Sequence, residues 1–157
     1  MIPEAPNKLP PGLWSALEGI RSVQTYTKGK TLFQYGVPSQ GVFLVERGQV
    51  DLLLPTARGE RFFEKTGPGV MLGLSETMCG DVYKLTAQAA MDTEVSFVSR
   101  EALLNFLRQH QGFCMQIVRL LSENLHLLYY RYRCISGIPA RSRRNRQSGS
   151  EDSRRAS

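Results

Sequence analysis

The residues best suited to chemistry lie in one short segment near the middle of the chain. Gly69 and Gly73 let the backbone bend closely around a ligand, and we expect the amides that follow Gly73 to point inward from the start of a short helix. Such amides favour an anion, while Glu76, Lys84 and Thr86 supply a carboxylate, a positive charge and a hydroxyl. The segment therefore predicts a site for a small ligand. Its candidate residues are Gly73, Leu74, Ser75, Glu76, Lys84, Leu85 and Thr86.

The elements that must position this segment have the pattern of strands from Val23 to Ser99. Short runs of strand-forming residues alternate with turn sequences such as Arg47-Gly48 and Thr66-Gly-Pro-Gly69. This regular spacing predicts an antiparallel β-roll or jelly roll, mainly β with flanking helices. The predicted strands are Val23–Tyr26, Thr31–Gln34, Val42–Glu46, Val50–Leu54, Arg61–Lys65, Leu85–Ala89 and Val95–Val98.

Helical spacing of apolar residues occurs on both sides of the strand region. A short helix that rests on the body is predicted after the breaker Leu9-Pro-Pro-Gly12, because Leu13, Trp14, Leu17 and Ile20 recur at helical spacing. Ser99 is a suitable N-cap for a second helix, Arg100–Gln109. A long helix is predicted to follow, from about Phe113 to Ile135.

The long helix carries an apolar stripe in a heptad register. The stripe consists of Cys114, Val118, Leu121, Leu125, Leu128, Tyr132 and Ile135. One reading is that every apolar face of the helix is buried inside a monomer. We favour a homodimer, because a single small barrel cannot cover both sides of a helix about 34 Å long. The predicted dimerisation residues are Val118, Leu121, Leu125, Leu128 and Tyr132.

The net charge of +6 is concentrated in residues 138–157, which contain six arginines and two acidic residues. This stretch is rich in serine and arginine with few apolar residues, so we expect it to be disordered. The arginines could contact nucleic-acid phosphates weakly, without reading the sequence. The candidate residues for that contact are Arg141, Arg143, Arg144 and Arg146.

Several function classes are excluded by composition. Two histidines and three widely spaced cysteines cannot form a histidine metal centre or a disulfide framework, so no metal site is predicted. The same residues offer no nucleophile and base for an enzyme. Neither a signal peptide nor a membrane span is visible, which favours a cytoplasmic protein that does not contact a membrane.

The segment from Gly69 to Ala89 resembles the phosphate-binding cassette of cyclic-nucleotide-binding domains. That cassette reads Gly-Glu-Leu, then a short helix and loop, then Arg-Ser/Thr-Ala. The resemblance implies that the residue at the Glu position would hold a ribose hydroxyl and that the residue at the Arg position would neutralise a cyclic phosphate. Leu74 stands at the position of the Glu, and Lys84 at that of the Arg.

These departures leave three alternatives for the cassette. Leu74, Met78 and Tyr83 fill it and no ligand binds, or an unknown anionic or apolar small ligand binds. Cyclic AMP or cyclic GMP binding is the third alternative and is not favoured, so no cofactor is predicted. Glu76 would have to replace the missing acceptor, and Lys84 lacks the two-pronged geometry of arginine.

The order of elements resembles the sensor domain of Crp/Fnr transcription regulators over residues 13–137. Arg47-Gly48-Gln-Val-Asp-Leu resembles the basic-Gly-x-Val strand turn of that family. The resemblance implies a non-catalytic regulatory module that dimerises through its long helix. It divides the chain into an N-terminal extension (1–12), a β-roll with flanking helices (13–111), a dimerisation helix (112–137) and a basic tail (138–157).

Members of that family continue from the long helix into a winged helix-turn-helix domain, whereas here a basic tail follows residue 137. We therefore expect no sequence-specific reading of DNA by a recognition helix. A stand-alone sensor, a truncated regulator and a partner that forms heterodimers with a full-length relative all remain possible readings of the sequence.

Overall fold

The computed structural model describes residues 8–136, and all side chains in that range except those of residues 124 and 127–136. The helices are α1 (Pro11–Ala16), α2 (Leu74–Cys79), α3 (Arg100–Gln109) and α4 (Gln111–Ser136), with a 3-10 turn at Glu18–Ile20. The strands are β1 (Ser22–Tyr26), β2 (Thr31–Phe33), β3 (Gly41–Arg47), β4 (Val50–Thr56), β5 (Gly59–Thr66), β6 (Met71–Leu72), β7 (Thr86–Ala89) and β8 (Thr93–Ser99).

The strands form two four-stranded sheets, with orders β1-β8-β3-β6 and β2-β7-β4-β5. Every pairing of neighbours is antiparallel. The predicted antiparallel roll with flanking helices is confirmed. Each of the seven predicted strands is present, with ends shifted by no more than two residues. β6 was not predicted, because two apolar residues are too few to show a period.

β3 explains why the sequence has an unbroken apolar run from Val42 to Val45. Val42 and Leu44 point into one core, and Phe43 and Val45 into another, so both faces of the strand are buried. We call the first the helix-side core, since it also holds Leu13, Leu103 and other helix residues. The second, between the two sheets, is the inter-sheet core.

Several glycines of the turns adopt a backbone conformation that other residues rarely take. Positive φ is found at Gly36, Gly48, Gly59, Gly69 and Gly73. The N-cap prediction is also confirmed, because the Ser99 Oγ accepts a hydrogen bond of 3.1 Å from the Ala102 amide at the start of α3. The strand β8 therefore ends at Ser99, and α3 begins at the next residue.

The first residues that the structure describes are bonded to the segment before β6 and to β3. Lys8 forms an antiparallel bridge with Val70, and the Leu9 amide donates to the Gly69 carbonyl over 2.8 Å. Further along, the Arg21 guanidinium lies 5.4 Å from the centre of the Trp14 ring. The same guanidinium donates to the Glu46 carboxylate over 3.1 Å, and Ser96 donates to it over 2.7 Å.

The chain divides into two compact units after Glu123. In the first unit, Ile117 and Leu120 of α4 are buried in the helix-side core, while Val118 is 51% exposed. In the second unit Leu125 is 55% exposed. The side chains of Leu128 and Tyr132 lie outside the described part, as do Arg141, Arg143, Arg144 and Arg146 of the predicted tail.

Among the described helices, none has the length and apolar character of a membrane span.

Candidate functional site

The six-residue helix α2 is framed by two glycines in the left-handed conformation. Gly73 has φ of 80° and Gly80 has φ of 69°, and the Thr77 amide donates to the Gly73 carbonyl over 3.1 Å. A Cβ at position 73 would lie 3.0 Å from a ring carbon of Tyr83 and 3.4 Å from the Gly41 carbonyl. Both the turn and the close packing therefore require glycine at this position.

The apolar residues of the segment are divided between the two cores. Leu74 is 2% exposed and lies in the helix-side core, against which Met78 also packs. Tyr83 is buried in the inter-sheet core, and Leu85 packs against that core while remaining half-buried. Ser75, by contrast, is exposed. The side chain of Leu74 is therefore directed toward helices, away from the space between the sheets.

The charged residues of the segment are engaged with one another. The Lys84 ammonium lies 3.0 Å from the Asp81 carboxylate, and both side chains are more than half exposed. The Lys84 amide donates to the Glu76 carboxylate over 3.2 Å. The hydrogen bond from Lys84, together with that from the Val82 amide, lowers the pKa of Asp81 below its ordinary value. The positive charge of the segment is thus partly balanced inside the segment.

Tyr83 ties this segment to β3. Its hydroxyl donates to the Gly41 carbonyl over 2.8 Å and accepts from the Gln40 and Gly41 amides over 3.2 and 3.4 Å. Its ring stacks on Phe33 with centroids 4.1 Å apart. Burial raises the pKa of Tyr83 above its ordinary value, against the opposing effect of the hydrogen bonds from the two amides. The phenol is a structural hydrogen-bonding group at the centre of the site.

Thr86 is buried and its hydroxyl is used on both sides. The hydroxyl accepts from the Tyr35 amide over 3.0 Å and donates to the Glu60 carboxylate over 3.4 Å. Through these two bonds, Thr86 of β7 connects Tyr35, just after β2, to Glu60 of β5 in the sheet of order β2-β7-β4-β5. The Thr86 hydroxyl, which the sequence suggested as a ligand group, is thus bonded to residues of the protein.

The structure thus brings Glu76 and Lys84 together, leaves Ser75 facing solvent, and buries Leu74 and Thr86. The residues that hold α2 in place were not predicted from the sequence. The Ser39 hydroxyl donates to the Glu76 carbonyl over 3.1 Å, and the Arg100 guanidinium donates to the Thr77 carbonyl over 2.9 Å. No local pattern marks these long-range bonds. The pairing of Asp81 with Lys84 was not marked either, because both lie in the loop after α2, where a spacing of three residues does not by itself bring side chains together.

No metal centre is apparent in the described part of the chain. Among its side chains, no group of three or more histidine, cysteine, aspartate or glutamate residues is arranged to hold a metal ion. Cys79 is exposed at the end of α2, and the Cys114 thiol lies 3.2 Å from the Leu107 carbonyl.

The fold is similar to that of several solved regulators. It matches the catabolite activator protein of Thermus thermophilus with 26% identity and a TM-score of 0.72, over 82% of this chain and 61% of that one. It matches the sensor domain of the transcriptional regulator DNR from Pseudomonas aeruginosa with 23% identity and a TM-score of 0.63, over 76% of this chain and 81% of that one. A transcriptional regulator from Thermotoga maritima matches with 12% identity and a TM-score of 0.69, over 79% and 98% of the two chains.

No curated protein matches the sequence. The chain spans only 61% of the length of the Thermus protein. Residues 23–110, more than half of the chain, match the family described as the cyclic nucleotide-binding domain. That stretch contains the two sheets apart from Ser22, together with α2 and α3, and it includes Tyr83, Lys84 and Thr86. With Crp/Fnr-type regulators as its structural neighbours, the chain belongs to the cyclic nucleotide-binding domain family.

Proposed function

We propose that the chain is a non-catalytic sensor module of the Crp/Fnr type, cytoplasmic and homodimeric, whose cassette has lost tight binding of cyclic nucleotides. One observation carries this proposal. The groups at the nucleotide-binding positions are occupied by contacts within the protein, with Lys84 on Asp81, the Glu76 carboxylate on the Lys84 amide, and Leu74 in the helix-side core.

The residues present do not fit a cyclic nucleotide. Leu74 has no oxygen to accept a ribose hydroxyl, and its side chain is directed into the helix-side core. Lys84 offers one compact charge where a planar, two-pronged donor matches a phosphate best. Half-buried Leu85 and Phe63 pack against the inter-sheet core and add apolar bulk there. An unknown small ligand that needs fewer charged contacts is compatible with this arrangement.

The first test is calorimetric titration with cyclic AMP and cyclic GMP. Each lost charge-assisted hydrogen bond removes about 1.5–3 kcal/mol, so losing several raises Kd by orders of magnitude. We expect Kd for both nucleotides to exceed about 100 μM. A Kd in the low micromolar range would show that Glu76 and Lys84 substitute for the family's pair.

A pair of variants makes the titration specific to the cassette. Lys84→Ala removes the cassette charge, and Lys65→Ala removes a matched lysine that pairs with Asp51 at 3.4 Å on another strand. We expect neither change to alter the weak binding of the two nucleotides in the titration. Loss of micromolar affinity in Lys84→Ala alone would identify the protein as a true cyclic-nucleotide or small-anion receptor, which is the alternative function.

The proposed homodimer is supported by the exposed apolar side of α4. Val118 and Leu125 are seven residues apart in the heptad pattern of the sequence, and each is more than half exposed. Exposed apolar side chains in heptad register are typical of a helix that pairs with another helix. A full-length relative that offers the same seam would be an alternative partner, giving a heterodimer.

A further inference from the structure

A cavity of about 400 Å³ lies outside the cassette, between the N-terminal segment and the first part of α4. Lys8 and Pro10 line one side. Gln116, Arg119, Leu120 and Glu123 line the other, and their spacing of three, four and seven residues places them on one face of the helix. The volume falls in the range of about 300–1,000 Å³ that is typical of small-ligand pockets.

The polar groups of this cavity lack partners within the described part of the chain. Lys8, Arg119 and Glu123 form no ion pair there, although Arg119 and Glu123 are one helical turn apart. The Gln116 side-chain oxygen is buried and accepts no hydrogen bond from described residues. A buried acceptor without a donor is costly unless another molecule supplies one.

The chemistry of these groups defines a complementary ligand. Lys8 and Arg119 are suited to an anionic group, and the Gln116 oxygen with the Glu123 carboxylate is suited to a cationic donor. Pro10 and the buried side of Leu120 add an apolar wall. We propose that this cavity binds a small zwitterion, of the class of free α-amino acids with an apolar side chain.

The walls of the cavity are held in place by the fold. Leu9 and Leu13, which flank the N-terminal wall, are buried in the helix-side core, as is Leu120 on α4. The N-terminal wall is also joined to the cassette, because Lys8 bridges Val70 and Leu9 donates to the Gly69 carbonyl. A ligand in this cavity would therefore contact α4 together with Lys8, which is paired to the segment that leads into α2.

The test is calorimetric titration of the full chain with L-leucine, with two analogues that each lack one charge. N-acetyl-L-leucine lacks the ammonium group, and L-leucinamide lacks the carboxylate. We expect L-leucine to bind with Kd of about 1 mM or tighter, and each analogue to bind at least about tenfold more weakly. Equal binding of all three, or no binding of L-leucine, would overturn the proposal. Displacement of bound L-leucine by an equal concentration of sodium sulfate would also overturn the proposal, because a site for simple anions needs no ammonium partner.

Variants assign the binding to this cavity. Arg119→Gln and Glu123→Gln should each weaken L-leucine binding about tenfold or more, whereas Arg108→Gln on α3 should leave it unchanged. Gln116→Leu should weaken binding without lowering Tm, because it removes an acceptor to which no described residue donates. Unaltered affinity in Arg119→Gln and Glu123→Gln, with L-leucine still bound, would place the amino acid elsewhere and refute the assignment.

Discussion

Tyr83 connects the cassette to β3 through three hydrogen bonds of one hydroxyl. Replacing Tyr83 with Phe would leave the Gly41 carbonyl and two amides without their side-chain partner while keeping the ring stacked on Phe33. We expect Tyr83→Phe to lower the free energy of unfolding by about 1–3 kcal/mol. In urea unfolding, the midpoint should move to a lower urea concentration, while the slope of the free energy of unfolding against urea concentration stays unchanged. Tyr35→Phe, at a half-exposed ring, is the matched control and should change the midpoint little.

The same phenol predicts how stability depends on pH in the alkaline range. Burial raises the pKa of Tyr83, so the folded state favours the neutral phenol. This contribution is complete below the ordinary tyrosine pKa of 10.0 and is lost as pH rises through the folded value. The free energy of unfolding should therefore fall above pH of about 10, and less steeply in Tyr83→Phe. Tyr26, whose pKa burial also raises, should still contribute to the decline in that variant.

At the scale of elements, the passage from β8 into α3 depends on the cap at Ser99. Its hydroxyl satisfies one of the amides that the first turn of a helix leaves without a partner. Ser99→Ala should reduce the free energy of unfolding by about 1 kcal/mol, within a range of 0.5–2 kcal/mol, as measured by urea unfolding. Ser99→Asp retains an acceptor and should recover most of the loss. Equal destabilisation by both variants would contradict a capping role.

The sequence predicted elements better than it predicted the directions of their side chains. Strand positions and the α3 cap follow from local rules, since turn glycines and a capping serine act on their own neighbours. The side chain of Leu74 illustrates the limit. Its position after Gly73 is clear from the sequence, but its burial among helices depends on where α1, α3 and α4 pack. The bonds of Ser39 and Arg100 to α2 depend on the same long-range arrangement.

At the scale of the whole molecule, the exposed side of α4 predicts how chains associate. Leu125→Glu would place two charges together at the proposed seam, at a cost of several kcal/mol in a buried setting. Sedimentation velocity should show a dimer for the natural sequence and a monomer for Leu125→Glu. Gln111→Glu introduces the same charge at the exposed start of α4 and should remain dimeric. A monomeric natural protein, or an intact Leu125→Glu dimer, would contradict the proposal.

The basic stretch after residue 137 lies outside the described part of the chain, and its role is a separate proposal. If Arg141, Arg143, Arg144 and Arg146 contact phosphates, binding to DNA should be weak and indifferent to sequence. The log–log dependence on salt should have a slope of about −3 to −4 per chain. Fluorescence anisotropy with two unrelated duplexes measures both properties. A variant that ends at Gly137 should lose the binding, and a strong preference for one duplex would contradict the proposal.

Trp14 gives the molecule an intrinsic optical reporter. It is the single tryptophan of the chain, and its ring lies under the Arg21 guanidinium, which Glu46 holds in place. The fluorescence of one indole is therefore sensitive to whether α1 remains seated on the first sheet. α1 follows directly after the segment that carries Lys8 and Pro10. We therefore expect ligand binding in the neighbouring cavity to change the emission spectrum of Trp14. Ligand binding and the position of this helix can thus be followed in the same cuvette, without attaching a dye.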